Sequence, residues 1–146
     1  MIGGMAQCVF CDIVRGDAPA SFVYRDQLVP AFSDTSPVAP GHTLVIPNAH
    51  AALLRDVDPE ARDHVFHWAL KVAEAIRRSR LRADGINLFV AEGEAAGQEV
   101  FHSHLHVLPR FPGDGFVVDA QAWREPQPSR EALNQHGAAI RAALEP

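Results

Sequence analysis

A chain of 146 residues is long enough for one domain with a real core and too short for two comfortable ones. At 47% apolar and 21% charged it has an ordinary globular composition, and no apolar run approaches the ~20 residues of a membrane span. A net charge of -5 argues against broad binding to nucleic-acid backbones, yet leaves room for a single nucleotide held by local dipoles.

The opening Met1-Ile2-Gly3-Gly4-Met5 lacks the basic, then long-apolar pattern of a secretory signal, which reads as a cytoplasmic protein. Cys8 and Cys11 are too close in sequence to staple a fold. In a reducing compartment such a pair suggests a metal site or a redox couple, with two buried free thiols as the plain alternative. Residues 9–14 read as a short turn or helix before Gly16. Residues 22–25 and 28–32 predict two strands of a hairpin around Asp26-Gln27. A loop over 35–41, punctuated by Pro37, Pro40 and Gly41, leads into a β-rich run over 42–47.

Residues 58–81 predict a long helix, with Asp58 as N-cap, Pro59 at the first helical position and Glu60 matching the helix dipole. Val65, Phe66, Ala69, Val72, Ala73 and Ile76 mark its buried face, and His64 and His67 fall beside it as surface residues. Arg77, Arg78, Arg80 and Arg82 crowd the C-terminal end, as a solvated, dipole-matched helix end would. A strand over 85–91, a glycine-bounded loop over 92–97 and a strand over 100–109 follow, the two strands pairing antiparallel. After an irregular stretch over 111–128, Ser129 caps a last helix whose Leu133, Ile140 and Leu144 share a face. This order implies an α+β domain, an antiparallel sheet with its helices to one side.

The chemistry is concentrated in His102, His104 and His106, which alternate with Ser103 and Leu105. On an extended strand alternate side chains share one face about 7 Å apart, so three imidazoles would line one surface. Near pH 7 neutral imidazole is a nucleophile, a proton carrier, a partner for phosphate oxygens and a metal ligand.

The run Gly97-Gln98-Glu99-Val100-Phe101-His102-Ser103-His104-Leu105-His106-Val107-Leu108-Pro109-Arg110 resembles the signature of the histidine triad (HIT) superfamily. Cys8-Val9-Phe10-Cys11-Asp12-Ile13, Ala31-Phe32-Ser33-Asp34 and the stretch from Pro40 to His50 match it in order and spacing, so the resemblance covers about residues 8–112. It implies a single α+β domain over 1–146, with a core over 8–112 and a C-terminal extension with a helix over 113–146. It further implies a five-stranded antiparallel sheet, paired in a homodimer into one ten-stranded sheet.

The implied activity is that of a nucleotide hydrolase or nucleotidyltransferase working on the α-phosphate of nucleoside phosphoramidates or dinucleoside polyphosphates. The substrate would be a purine nucleotide, with neither a nucleic-acid polymer nor a membrane as partner. By this resemblance His104 is the nucleophile that forms a covalent nucleotidyl-histidine, His106 bonds a phosphate oxygen, and Gln98 places its amide near the phosphate. His42 buttresses the cluster, Asp34 accepts bonds from the ribose hydroxyls, and Phe10, Ile13 and Phe32 form the slot for the base. Cys8, Cys11, His50 and His102 match positions that bind a structural zinc in part of the superfamily. Ala91 and Glu99 depart from the phosphoramidase branch, which has asparagine and serine there. That departure leaves a second reading, a zinc-stabilised nucleotide-binding module with little catalysis.

Overall fold

The computed structural model describes residues 7–124 and 126–144; the Met1 to Met5 stretch read above for targeting lies outside them. The β-rich runs of the sequence resolve into one five-stranded antiparallel sheet. Its strands are β1 (Phe22–Arg25), β2 (Pro30–Ser33), β3 (Thr43–Val45), β4 (Gly85–Phe89) and β5 (Leu105–Arg110), in the order β1-β2-β3-β5-β4. The hairpin forms as expected, although its second strand begins at Pro30 rather than residue 28. Asp26 binds the Leu28 and Val29 amides and keeps that stretch in the turn. The last two strands pair antiparallel from Gly85 opposite Arg110 to Phe89 opposite His106.

Neighbouring residues of the central strands point to opposite faces, and each face has its own cover. Ala31, Val45, Leu105 and Val107 pack with Val65, Ala69, Val72, Ala73 and Ile76 of α2 (Pro59–Arg78). Asp58 caps that helix by accepting the Glu60 amide at 3.1 Å. Phe66, expected on this stripe, is 42% exposed, because it lies about 100° around the helix from Val65. On the opposite face Phe32 and Leu44 pack with Phe10 and Ile13 of α1 (Val9–Arg15) and with Ile46. α1 and α2 therefore cover opposite faces of the sheet rather than one side. Two buried strand faces demand two covers.

His64 is not the simple surface residue its position predicts. Its Nε2 lies 2.6 Å from Asp26 Oδ2, which also accepts the Tyr24 hydroxyl at 2.7 Å. Burial alone would raise the Asp26 carboxyl. Bonds from His64, the Val29 amide, Tyr24 and the Leu28 amide outweigh it and hold the group below the ordinary carboxylate range. A depressed carboxylate stabilises the fold above its unfolded pKa, about 4, and that contribution is lost as pH falls below it. Asp26→Asn is therefore expected to cost about 1–2 kcal/mol at pH 7. The gap from wild type should narrow at pH 3 in urea titrations, and an equal gap at both pH values would contradict the assignment.

Gly41, directly before His42, has φ 97°, and a Cβ there would meet Leu81 Cδ1 at 3.0 Å and Pro109 Cγ at 3.3 Å. Both the backbone angle and the close approach require glycine at the entry to β3.

Chain contacts divide at Gly115 into two compact units. The second contains α3 (Arg130–Leu144), begun as predicted by Ser129, whose Oγ accepts the Ala132 amide at 3.1 Å. Leu133, Ile140 and Leu144 are exposed along it. Among the described residues no helix is long and apolar enough to cross a membrane.

Candidate active site

The expected strand over 100–109 begins only at Leu105, opposite Val45, so of the three histidines His106 alone lies in the sheet. Residues 102–104 spend their hydrogen bonds elsewhere. The Ser103 amide donates to the Ala51 carbonyl at 2.7 Å, and the His102 ring turns toward the cysteines. The rings still follow one another. Centroids are 5.1 Å apart for His50 and His102, 4.9 Å for His104 and His106, and 5.1 Å for His106 and His42. Phe10 bridges the gap, edge-on at 5.9 Å from His102 and 5.1 Å from His104.

Backbone groups assign the ring hydrogens, since a carbonyl only accepts and an amide only donates. His104 Nδ1 lies 2.8 Å from the His102 carbonyl, so it carries the hydrogen and the neutral ring keeps a lone pair on Nε2. His102 Nε2 lies 2.8 Å from the Pro47 carbonyl, which leaves its lone pair on Nδ1. The Val38 amide donates to His42 Nδ1 at 3.0 Å, and His42 Nε2 lies 2.9 Å from His106 Nδ1.

Burial, followed by the neighbouring His104 and His42, pushes His106 down to about 4. Burial also lowers His42 against the opposing pull of Asp34, and both rings are neutral at pH 7. A nucleophilic lone pair thus stands beside a second, neutral imidazole, a combination suited to attack on phosphorus with an oxygen held alongside.

Asp34 sits at this cluster with Oδ2 3.5 Å from His42 Nε2. Its Oδ1 accepts the Ser36 amide at 2.8 Å and its own amide donates to the His42 carbonyl at 3.0 Å, so it closes a turn and faces the site at once. Phe10, Ile13 and Phe32 come together as one buried cluster with Leu44 and Ile46. Gln98 is buried and its amide is occupied. Nε2 donates to the Ala52 carbonyl at 2.7 Å and the Val100 carbonyl at 3.0 Å, while Oε1 accepts the Gly93 amide at 2.8 Å.

Cys8, Cys11, His50 and His102 converge so that their ligand atoms all lie within 4.8 Å of one another. Both sulfurs are 3.6 Å from His102 Nδ1, the atom bearing the lone pair, and Cys11 Sγ is 3.3 Å from His50 Nδ1. A tetrahedral zinc with sulfur at ~2.3 Å and nitrogen at ~2.1 Å has S···N edges of about 3.6 Å, so the donor set fits. Burial first, then the Cys8 thiol, pushes the Cys11 thiol above its ordinary range. A bound dication would reverse that shift. Asp34, His42 and His106 cluster as tightly, but His42 and His106 point their nitrogens at each other across a shared hydrogen and form no cage. A cleft of about 840 Å³ opens beside the cysteines, with Val100, Phe101, Arg15 and Glu99 on its walls.

Side-chain chemistry made these residues visible in the sequence. The carbonyls of Pro47, Ala51 and His102 and the amide of Val38 were not, because every residue type supplies the same groups.

A HIT domain family model matches residues 15–113. An uncharacterized HIT-like protein of Borreliella burgdorferi is 44% identical over 113 residues, which cover 77% of this chain and 81% of that one. Adenylylsulfatase HINT3 of Arabidopsis thaliana is 37% identical over 103 residues, covering 70% of this chain and 52% of that one. The crystal structure of a zinc-bound histidine triad family protein from Mycobacterium smegmatis superposes with a TM-score of 0.72 at 41% identity. It covers 91% of this chain and 97% of that one.

Proposed function

Since the chain belongs to the HIT family, a family that includes nucleotide-acting hydrolases, we propose that it cleaves nucleotides at the α-phosphate through a covalent nucleotidyl-His104. The observation that carries this reading is the His104 Nδ1 contact to the His102 carbonyl at 2.8 Å, which leaves the Nε2 lone pair free beside the His106 ring. In the first step His104 Nε2 bonds to phosphorus while the bond to the leaving group breaks. The leaving group departs with the bonding electrons and takes a proton from water. In the second step water bonds to phosphorus, the P–N bond breaks, the nitrogen recovers its lone pair, and a nucleoside monophosphate and a proton are released. The His102 carbonyl holds the His104 ring throughout and favours the charge that develops on it, as a fixed dipole costs no reorganisation.

Within this proposal His106 donates to a phosphate oxygen and Asp34 receives the ribose hydroxyls. Phe10, Ile13 and Phe32 wall the base site. Gln98 acts by positioning, joining the loop after His50 to the loop before the histidines through its three backbone bonds. Cys8, Cys11, His50 and His102 would hold zinc, whose contribution is structural because four protein ligands leave no open position. A homodimer with a continuous sheet belongs to the same proposal, and the edge strand β4 carries exposed Leu88 and Phe89.

A panel of adenosine phosphoramidates, adenosine 5′-phosphosulfate and diadenosine polyphosphates tests the reading, with acid-quenched mass spectrometry for a protein-bound nucleotidyl group. Turnover with such an adduct is expected. Tight AMP binding with no turnover and no adduct would instead establish the binding-module reading.

A further inference from the structure

We propose that the main-chain amide of Val38 locks the His42–His106 pair in one neutral tautomer, and so keeps an N–H rather than a lone pair on His106 Nε2. This deepens the reading above by naming what sets the polarity of the phosphate-facing donor. Two neutral imidazoles hold two hydrogens on four nitrogens. The Val38 N–H occupies the His42 Nδ1 lone pair at 3.0 Å, so the first hydrogen must sit on His42 Nε2. That hydrogen fills His106 Nδ1 at 2.9 Å, and the second is left on His106 Nε2.

An added proton has two places to go. On His42 Nδ1 it would face the Val38 N–H, and on His106 Nδ1 it would face the His42 N–H. Either places two donors head to head, so the geometry disfavours the cation. Of the described groups around the pair, only the Asp34 carboxylate, 3.5 Å from His42 Nε2, favours a proton on it. His104 lies on the other side of His106, and Phe89 packs against the ring from β4. The low position of His106 agrees with the lock. Pro37 and Pro40 bracket the loop, and the His42 amide donates to the Ala39 carbonyl at 3.0 Å, which holds Val38 in place.

Ring-nitrogen NMR correlations on the substrate-free, full-length protein test this directly. His42 and His106 are expected as neutral Nε2–H tautomers at pH 6. Val38→Pro removes the amide hydrogen, whereas Val38→Ala keeps it. The proline variant should show mixed tautomers and a pair that titrates about one pH unit higher. The alanine variant should match wild type. An Nδ1–H tautomer at His106 or a cationic pair at pH 6 in wild type would overturn the lock, even if the proline variant failed to fold. A proline variant with wild-type tautomers would overturn it too. Because the readout needs no substrate, the lock can fail while nucleotidyl transfer by His104 stands, and the reverse.

Discussion

His104→Asn is expected to lower kcat by on the order of 10⁴ to 10⁶-fold and to eliminate the trapped nucleotidyl-protein. Asparagine keeps a short amide able to donate to the His102 carbonyl, which today receives His104 Nδ1–H at 2.8 Å. The local fold should therefore survive while the lone pair aimed at phosphorus is lost. Nucleotide binding should persist, since Asp34, His106 and the apolar wall are untouched, so the loss falls on kcat and not on Kd. Stopped-flow turnover and isothermal titration on the same sample separate the two. A variant that still forms the adduct would remove His104 from the chemistry, whatever became of the family assignment.

Metal removal should have the next largest effect. His102 is fully buried, and its two ring nitrogens face the Pro47 carbonyl and the two sulfurs. A bound zinc would tie α1, the His50 loop and the segment entering β5 at one point. With free zinc a thousandfold above Kd, mass action stabilises the native state by about 4 kcal/mol. For a unit of this size that is a Tm rise of roughly 15 °C. Chelation should remove it, zinc should restore it, and Cys11→Ser should make the protein largely indifferent to both. Elemental analysis is expected to find about one zinc per chain. Metal-free protein with the same Tm in chelator and in zinc would leave Cys8 and Cys11 as free thiols or a redox pair. Because the carbonyl that orients His104 belongs to His102, kcat should fall along with the metal.

How legible this was depended on the kind of signal. The long helix showed in the spacing of Val65, Ala69, Val72 and Ile76 and in Asp58-Pro59, because one-sided burial and a local cap are both written in neighbouring residues. The sheet showed in short β-rich runs bounded by turn residues, such as that over 42–47 ended by Pro47. Phe66 and the start of β5 did not. A residue one step off a stripe looks apolar either way, and an extended-looking run can surrender its ladder bonds to a distant carbonyl such as that of Ala51.

The sequence by itself determined the inventory: three spaced histidines, a distant fourth, an acid in a turn and a C-x-x-C, all carried by side chains whose chemistry does not depend on the fold. Tertiary structure decided how that inventory is divided. It sent His102 to the cysteines and His106 to His42, spent the amide of Gln98 on backbone, and turned His104 Nδ1 onto the His102 carbonyl. The reason is that a histidine's reactive nitrogen is chosen by what the other nitrogen touches, and here those partners are backbone groups brought close only when the sheet closes.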